Sequence, residues 1–288
     1  MRVSTAVLVI LSVVIVTAIS VELGELYPFM LLGVVFLVLA GGVFLAENGH
    51  LLLARLGLRL ERAGHSYVRA LFGAYASHFD EHLLMELHYV APNLLMQIIM
   101  QNHDGRFSRA IDVGCGTGLC GPLFAPFCTR LIGVDLSPDM LAEAEKKACY
   151  DDLIAADFNL YLNANPDAAD LILAADVLVY SGTLSGPISA IATALKPGAM
   201  AAFTLEDLGE TDTSTGWKLG RSGRYAHTTR YVRMVAERAG LEIADFQYAE
   251  LRQQGGEPVA GQVWLLRKLL DDPAHPHIRS VDGNERIL

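Results

Sequence analysis

Two long runs of apolar residues without a single charge lie near the start of the chain. They cover residues 5–21 and 28–46. A helix that crosses a bilayer needs about 17–25 mostly apolar residues, and both runs have that length. The mean hydropathy of the chain, +0.34, is high for a soluble protein, and the apolar excess lies here. Residues 1–50 are therefore predicted to form a transmembrane helical hairpin.

A cleaved secretory signal is the alternative interpretation of the first run. Arg2 supplies a positive start, and the Ala-Ile-Ser sequence at 18–20 resembles a cleavage site. A second apolar run follows, however, after a link of only residues 22–27. A signal peptide does not explain this second run, so we favour the hairpin.

The basic residues around the predicted hairpin indicate its orientation. The link contains two glutamates and no basic residue, whereas Arg2, Arg55, Arg59 and Arg62 lie outside the hairpin. Lys and Arg concentrate on the cytoplasmic side of membrane proteins. We therefore expect the hairpin to sit in the inner (cytoplasmic) membrane, with the rest of the chain on the cytoplasmic side.

Residues 51–100 are predicted to form amphipathic and cap helices. The arginines at 55, 59 and 62 share one face of a helix and leucines occupy the other. This pattern fits a helix in the lipid headgroup region and equally a helix packed on the next domain. A further helix is predicted over 67–100, where apolar residues recur at spacings of three and four.

Short apolar runs alternate with helical patterns from residue 101 onward. Strands are predicted over 109–113, 131–135, 153–157, 171–175, 200–205, 241–248 and 262–268, with helices over 119–127 and 138–148. Such alternation predicts an α/β fold, with a seven-stranded, mostly parallel sheet and helices on both faces. This domain is predicted to cover residues 101–269, and the polar residues 270–288 to form a flexible tail.

The charge and the cysteines narrow the functional classes. The net charge is −10 and no long basic cluster is present, so no nucleic-acid partner is expected. The four cysteines form no CxxC pair and no zinc-type spacing. No metal site is predicted.

The richest motif is the segment AIDVGCGTG at 110–118. Gly114, Gly116 and Gly118 allow a sharp turn and close approach of a ligand after the predicted strand, and Asp112 stands at its end. The next predicted strand ends in Asp135, placed to accept hydrogen bonds from ribose hydroxyls. Residues 116–121 also match GxGxxG of NAD-binding proteins, but the glycine that ends the strand is Gly114. The spacing from there is GxGxG, and the carboxylate before the loop suits a cofactor with an amino group.

These segments resemble class I S-adenosylmethionine-dependent methyltransferases, a family with a Rossmann-like fold, over residues 72–268. The sequence is similar in particular to the predicted methyltransferase family often fused to tetratricopeptide repeats. The matching segments are FGAYASHFDEHL, AIDVGCGTGLCG, LIGVDLSPDMLAEA, DLILAADVLVYSG, SGRYAHTTRYVRMVAERAGLE and GEPVAGQVWLLRK. This chain departs from the family by carrying a predicted membrane hairpin where relatives carry repeats.

The resemblance implies S-adenosylmethionine as cofactor and assigns residues to it. Asp112 and the three glycines are expected to hold its methionine end, and Asp135 its ribose. The residues expected near the adenine are Leu136, Met140, Asp157 and Phe158. Tyr75 and Phe79, from the predicted cap, are expected either to close over the site or to pack in the core.

Candidate catalytic residues follow the later predicted strands. Asp176, Tyr180, His227 and Glu206 are the candidates for a base. A structural role is the favoured explanation for each of them, such as helix capping for Asp176, core packing for Tyr180 and backbone bonding for His227. Good positioning alone can lower a barrier by about 7–11 kcal/mol, which makes a base optional.

Two functions from different classes fit these features. The first is methyl transfer to a small or lipid-like acceptor, since a membrane anchor would bring the site close to acceptors dissolved in the bilayer. The second is a non-enzymatic accessory subunit of a membrane protein complex, because small residues such as Gly41 and Gly42 in the second run permit close helix packing. A soluble NAD-dependent enzyme is a third, more distant interpretation.

Overall fold

The computed structural model describes residues 61–65, 68–69, 80, 83, 85, 87–210, 214–220 and 222–270. The predicted hairpin, the segment 51–60 and the tail from 271 lie outside these residues. Within the described part of the chain, no helix is both long and apolar enough to cross a membrane.

A nine-stranded sheet forms the centre of the described domain. Its strands are β1 (Phe107–Val113), β2 (Cys128–Asp135), β3 (Asp152–Ala155), β4 (Ala169–Ala174), β5 (Leu195–Asp207), β6 (Trp217–Leu219), β7 (Tyr225–His227), β8 (Leu241–Gln254) and β9 (Glu257–Lys268). The α-helices are α1 (Ala91–Asn102), α2 (Gly121–Phe124), α3 (Pro138–Lys146), α4 (Phe158–Asn163), α5 (Ser185–Ala194) and α6 (Thr229–Arg238).

The strand order confirms a mostly parallel sheet. Strands β3, β2, β1, β4 and β5 are parallel neighbours in that order. Strand β9 pairs antiparallel with β5, and β8 pairs antiparallel with β9. The seven predicted strands are present, but β6 and β7 bring the total in the described domain to nine. Each of these two has only three residues, too few for an apolar alternation to reveal.

Helices cover both faces of this sheet, as predicted. Successive strand residues point to opposite faces, so Ile111 and Ala110 enter different clusters of the core. Ile111 joins residues of α4, α5 and α6, among them Leu162, Ile188 and Val232. Ala110 joins residues of α1 and α2 on the other face. The two clusters make the sheet the shared wall of two cores.

The structure corrects two predicted helices and one domain boundary. The helix predicted over 67–100 does not continue to its end, because residues 87–90 are not helical and a new helix, α1, starts with Pro92 in its first turn. Helix α1 packs on the sheet, so the boundary predicted at residue 101 falls inside an element of the α/β domain. The helix predicted over 119–127 is only α2 and a 3₁₀ turn at 125–127, since Pro126 cannot donate an α-helical hydrogen bond.

Candidate active site

A cleft lies at the carboxyl ends of the parallel strands. Asp157 follows β3, Asp135 ends β2, Gly114 follows β1 and Asp176 follows β4, and all four line the cleft. In open α/β sheets this edge is where ligands bind. The strand order therefore brings together residues that are far apart in the sequence.

Two glycines of the loop after β1 have different roles. Gly114 and Gly116 both adopt left-handed backbone angles, with φ of 61° and 55°. A Cβ on Gly114 would lie 2.3 Å from a methyl carbon of Val177, whereas a Cβ on Gly116 would meet no atom within 4 Å. Gly114 thus permits close packing of the loop. Gly116 leaves its backbone open to a ligand in the cleft.

Gly118 does not line the cleft, in contrast to its predicted role as a cofactor residue. Its φ is 85°, and a Cβ there would lie 2.8 Å from a ring carbon of Tyr150 and 3.1 Å from Cβ of Ala144. The residue therefore permits close packing of the loop against α3 and Tyr150.

Asp112 is a buried carboxylic acid at the wall of the cleft. Its Oδ2 accepts a hydrogen bond from the Tyr150 hydroxyl at 2.7 Å. Burial raises the pKa of Asp112 to about 7, the Tyr150 hydrogen bond opposes that rise, and nearby Asp135 adds to it. A cationic group of a ligand would favour the ionised form. No motif in the sequence marks Tyr150 as the partner of this carboxyl.

Asp135 is fixed by two backbone hydrogen bonds. Gly116 N donates to its Oδ2 at 2.9 Å and Ser137 N donates to its Oδ1 at 2.8 Å. Burial nevertheless raises the pKa of this carboxyl. Each carboxylate oxygen has a second lone pair for a ligand hydroxyl. Leu136 and Met140 line the cleft beside it.

Asp157 and Phe158 lie at the β3 end of the cleft, where a short segment of the chain crosses. Oδ1 of Asp157 accepts a hydrogen bond from Leu160 N, which caps α4, and Oδ2 lies 2.8 Å from His65 Nε2. His65 belongs to residues 61–65, which we call the strap. Its Ala63 N donates to the Tyr180 carbonyl at 2.9 Å. The strap therefore joins the β3 end of the cleft to the β4 end.

The predicted cap also contacts the glycine loop. Tyr75 and Phe79 lie outside the described residues, but Asp80 is described. Its carboxylate accepts hydrogen bonds from the Thr117 hydroxyl and, at 2.6 Å, from Lys147 Nζ. These contacts hold Asp80 against the loop that follows β1.

Asp176 and Tyr180 both line the cleft on the side of β4. The two carboxylate oxygens of Asp176 lie 3.1 and 3.0 Å from Nη1 of the buried Arg252, whose Nη2 donates to Glu206. The Tyr180 hydroxyl accepts a hydrogen bond from Arg224 Nε at 3.3 Å. Neither arginine was predicted to take part in the site, because a charged residue beside a strand normally indicates exposure.

His227 does not reach the cleft, although the sequence indicated it as a candidate base. It is fully buried, and its Nε2 lies 3.0 Å from the carbonyl oxygens of both Ser181 and Gly182. Burial lowers the pKa of His227 to about 4. His227, the last residue of β7, therefore has a structural role, because its side chain joins β7 to the loop after β4.

Comparison with known proteins finds methyltransferases that are similar to this chain in sequence. A family model described as a methyltransferase domain matches residues 111–201. The chain is similar to a malonyl-[acyl-carrier protein] O-methyltransferase of Enterobacter lignolyticus, with 29% identity over 137 residues that cover 48% of this chain and 52% of that protein. It is also similar to a ubiquinone biosynthesis O-methyltransferase of Methylococcus capsulatus, with 28% identity over 139 residues, 46% of this chain and 58% of that protein. The matches thus span little more than half the length of these curated relatives.

The fold has counterparts among solved structures. The [4+2]-cyclase SpnF superposes with a TM-score of 0.59 and 16% identity over 73% of this chain and 99% of its own. At this identity the likeness shows the fold alone. The family model and the two relatives, together with the open backbone at Gly116 and the carboxylates beside it, support a methyltransferase domain over residues 111–201 whose cofactor is S-adenosylmethionine.

Proposed function

We propose that this protein transfers a methyl group from S-adenosylmethionine to a small, lipid-like acceptor at the cytoplasmic face of the inner membrane. The observation that carries the proposal is the continuity of the cleft. Residues expected to bind the cofactor, such as Asp135 and Gly116, and residues on the other side, such as Asp176 and Tyr180, line the same space. The names of the two relatives favour a small-molecule acceptor.

The described residues that line the cleft can position both the cofactor and the acceptor. When bound, S-adenosylmethionine supplies a methyl group on a sulfonium that leaves as a thioether. Asp112 would bind the amino group of that cofactor and Asp135 would bind its ribose. Gly116 would let the cofactor approach the backbone of the loop after β1. Both oxygens of Asp176 contact Arg252, which fixes the carboxylate at the cleft wall. Its remaining lone pairs can accept a hydrogen bond from the acceptor.

The short stretch of chain between the predicted hairpin and the cleft favours an acceptor that is dissolved in the membrane. The second apolar run ends at Ala46, and Arg62 lines the cleft sixteen residues later. A fully extended chain rises at most about 3.6 Å per residue, so these sixteen residues span no more than about 58 Å. The cleft would then stay within that distance of the bilayer surface. Apolar side chains line it as well, among them Leu83, Leu119 and Val177.

The segments quoted from the sequence also favour a relationship to the methyltransferase family often fused to tetratricopeptide repeats. In this proposal the predicted hairpin takes the place of the repeats and determines where the domain acts. The lipid bilayer, and a membrane protein complex if the hairpin docks into one, are the proposed partners.

Calorimetry on the full-length protein in detergent is the first test. We expect wild-type protein to bind S-adenosylmethionine and Asp135→Ala to lose binding, whereas Asp152→Asn, which changes a carboxylate of an exposed ion pair, should bind normally.

A transfer assay with methyl-tritiated cofactor and a lipid extract of the source membranes then tests the acceptor. We expect the label to appear in the organic phase. Binding without transfer would contradict the lipid acceptor. A folded wild-type protein that binds no cofactor would contradict the enzyme and favour the accessory-subunit function.

A further inference from the structure

We propose that Arg224 binds the acceptor and that it recognises a carboxylate on an otherwise apolar molecule. The inference rests on the proposed function, because it assigns the part of the same cleft that the cofactor residues leave free. It depends on the position of Arg224, on how its side chain is held, and on the charges around it.

Arg224 lies at the end of the cleft away from the cofactor residues. It directly precedes β7, which pairs with the last residues of β5 through Glu206 and Ala226. Asp135 ends β2, and β1 and β4 lie between β2 and β5. With about 4.8 Å between neighbouring strands, the four steps from β2 to β7 amount to about 19 Å. Arg224 is therefore placed for a second molecule that lies beside the cofactor.

The side chain of Arg224 is held before any ligand binds. Its Nε donates to the Tyr180 hydroxyl at 3.3 Å, and its guanidinium carbon lies 5.9 Å from the centre of the Tyr180 ring. The Arg224 carbonyl accepts a hydrogen bond from Gly220 N at 2.7 Å. The strap in turn fixes Tyr180 through Ala63. A guanidinium positioned in this way loses little freedom when it binds a planar anion.

The neighbouring charges leave the terminal nitrogens of Arg224 for a ligand. The two carboxylates nearby, Asp176 and Glu206, are hydrogen-bonded to Arg252. Among the described residues, no carboxylate lies within 4.0 Å of Arg224 and no protein acceptor is bonded to its Nη1 or Nη2. A guanidinium fork matches a carboxylate with two parallel hydrogen bonds.

The charge balance favours a carboxylate over a phosphate. Two arginines and two carboxylates form this cluster, so their formal charges cancel. A monoanion adds one negative charge next to Asp176 and Glu206, whereas a phosphate adds close to two. The apolar wall formed by Leu83, Leu119 and Val177 suits the remainder of an acceptor that has little polarity.

Benzoate and benzamide are a matched pair of probes, because they share the apolar ring and differ in the carboxylate. Full-length protein is first saturated with S-adenosylhomocysteine, and each probe is then titrated by calorimetry. We expect benzoate to bind at least about tenfold more tightly than benzamide, the factor typical of a charge-assisted hydrogen bond. Arg224→Gln should abolish this preference and Arg224→Lys should keep part of it. Lys218→Gln, which removes an exposed charge on β6, should change nothing.

Thermal unfolding of each variant shows whether it is folded. Equal affinity for the two probes in wild-type protein would overturn the inference, as would no benzoate binding or unchanged benzoate binding in a folded Arg224→Gln. If S-adenosylhomocysteine itself fails to bind, the proposed function fails and the inference with it. Binding of S-adenosylhomocysteine without a preference for benzoate contradicts the inference alone.

Discussion

Replacing Asp112 with asparagine tests whether the buried acid at the end of β1 controls the cofactor site. Burial raises the pKa of Asp112 from 3.8 to about 7 in the folded protein. A shift of this size corresponds to about 4 kcal/mol against ionisation in the folded state. The pKa of Asp112 is higher in the folded protein than in the unfolded chain. The free energy of unfolding of the wild type therefore falls by about 4 kcal/mol as the pH rises from about 4 to about 7. Asparagine stays neutral, so the variant should be up to about 4 kcal/mol more stable at pH 8, and no more stable at pH 4.

Cofactor affinity should change in the opposite sense. If the ammonium group of the cofactor binds ionised Asp112, wild-type affinity is constant above pH 7 and falls up to about tenfold for each pH unit below it. The Asp112→Asn variant lacks the charge-assisted interaction, so at pH 8 we expect about 10- to 100-fold weaker binding. Between pH 6 and 8 its affinity should not depend on pH.

Calorimetric titration at pH 6, 7 and 8, with denaturant unfolding at pH 4 and 8, measures both effects. Asp152→Asn is the control, because its carboxylate lies in an exposed ion pair with Arg130 and should contribute little. Wild-type affinity that does not change between pH 6 and 8 would refute the reasoning about ionisation. An Asp112→Asn protein that is no more stable than wild type at pH 8 would refute the reasoning about burial.

Further substitutions separate the roles of the residues around Asp112 and beyond it. Gly114→Ala, with its Cβ 2.3 Å from a side-chain carbon, should lower the free energy of unfolding by more than about 2 kcal/mol. Gly116→Ala meets no atom and should lower it by about 1 kcal/mol while weakening cofactor binding; similar unfolding curves for the two would contradict this difference. Arg252→Met leaves two carboxylates unpaired and should destabilise the protein by about 3 kcal/mol in urea unfolding, so wild-type stability would disprove it. Tyr150→Phe removes the hydrogen bond that lowers the pKa of Asp112, so the pH midpoint of cofactor affinity should rise, and an unchanged midpoint would count against that bond.

The features of the site that could be predicted are local in the sequence. Asp112 and Asp135 each end an apolar run, and Gly114 and Gly116 follow the first of them, so strand, loop and carboxylates are visible within a few residues. Parallel strands then bring their carboxyl ends to one edge of the sheet whatever the rest of the chain does. This is why the predicted strands and the glycine loop after β1 agree with the structure.

The features that sequence patterns missed depend on contacts between distant residues. Tyr150 reaches Asp112 across 38 positions, and Arg252 reaches Asp176 across 76. Neither partner has a spacing that a local pattern could reveal. His227 was predicted to be a candidate base because it follows the later strands. Its burial depends on β7, which has only three residues, pairs with the end of β5 and shows no periodicity of its own.

The strap makes the two ends of the cleft dependent on one another. Its backbone joins the loop after β4 through Glu61 and Ala63, with Gly182 N donating to the Glu61 carbonyl at 2.8 Å. Its side chain His65 contacts Asp157 at the other end. A shift of these few residues would therefore alter the cofactor end and the acceptor end at once.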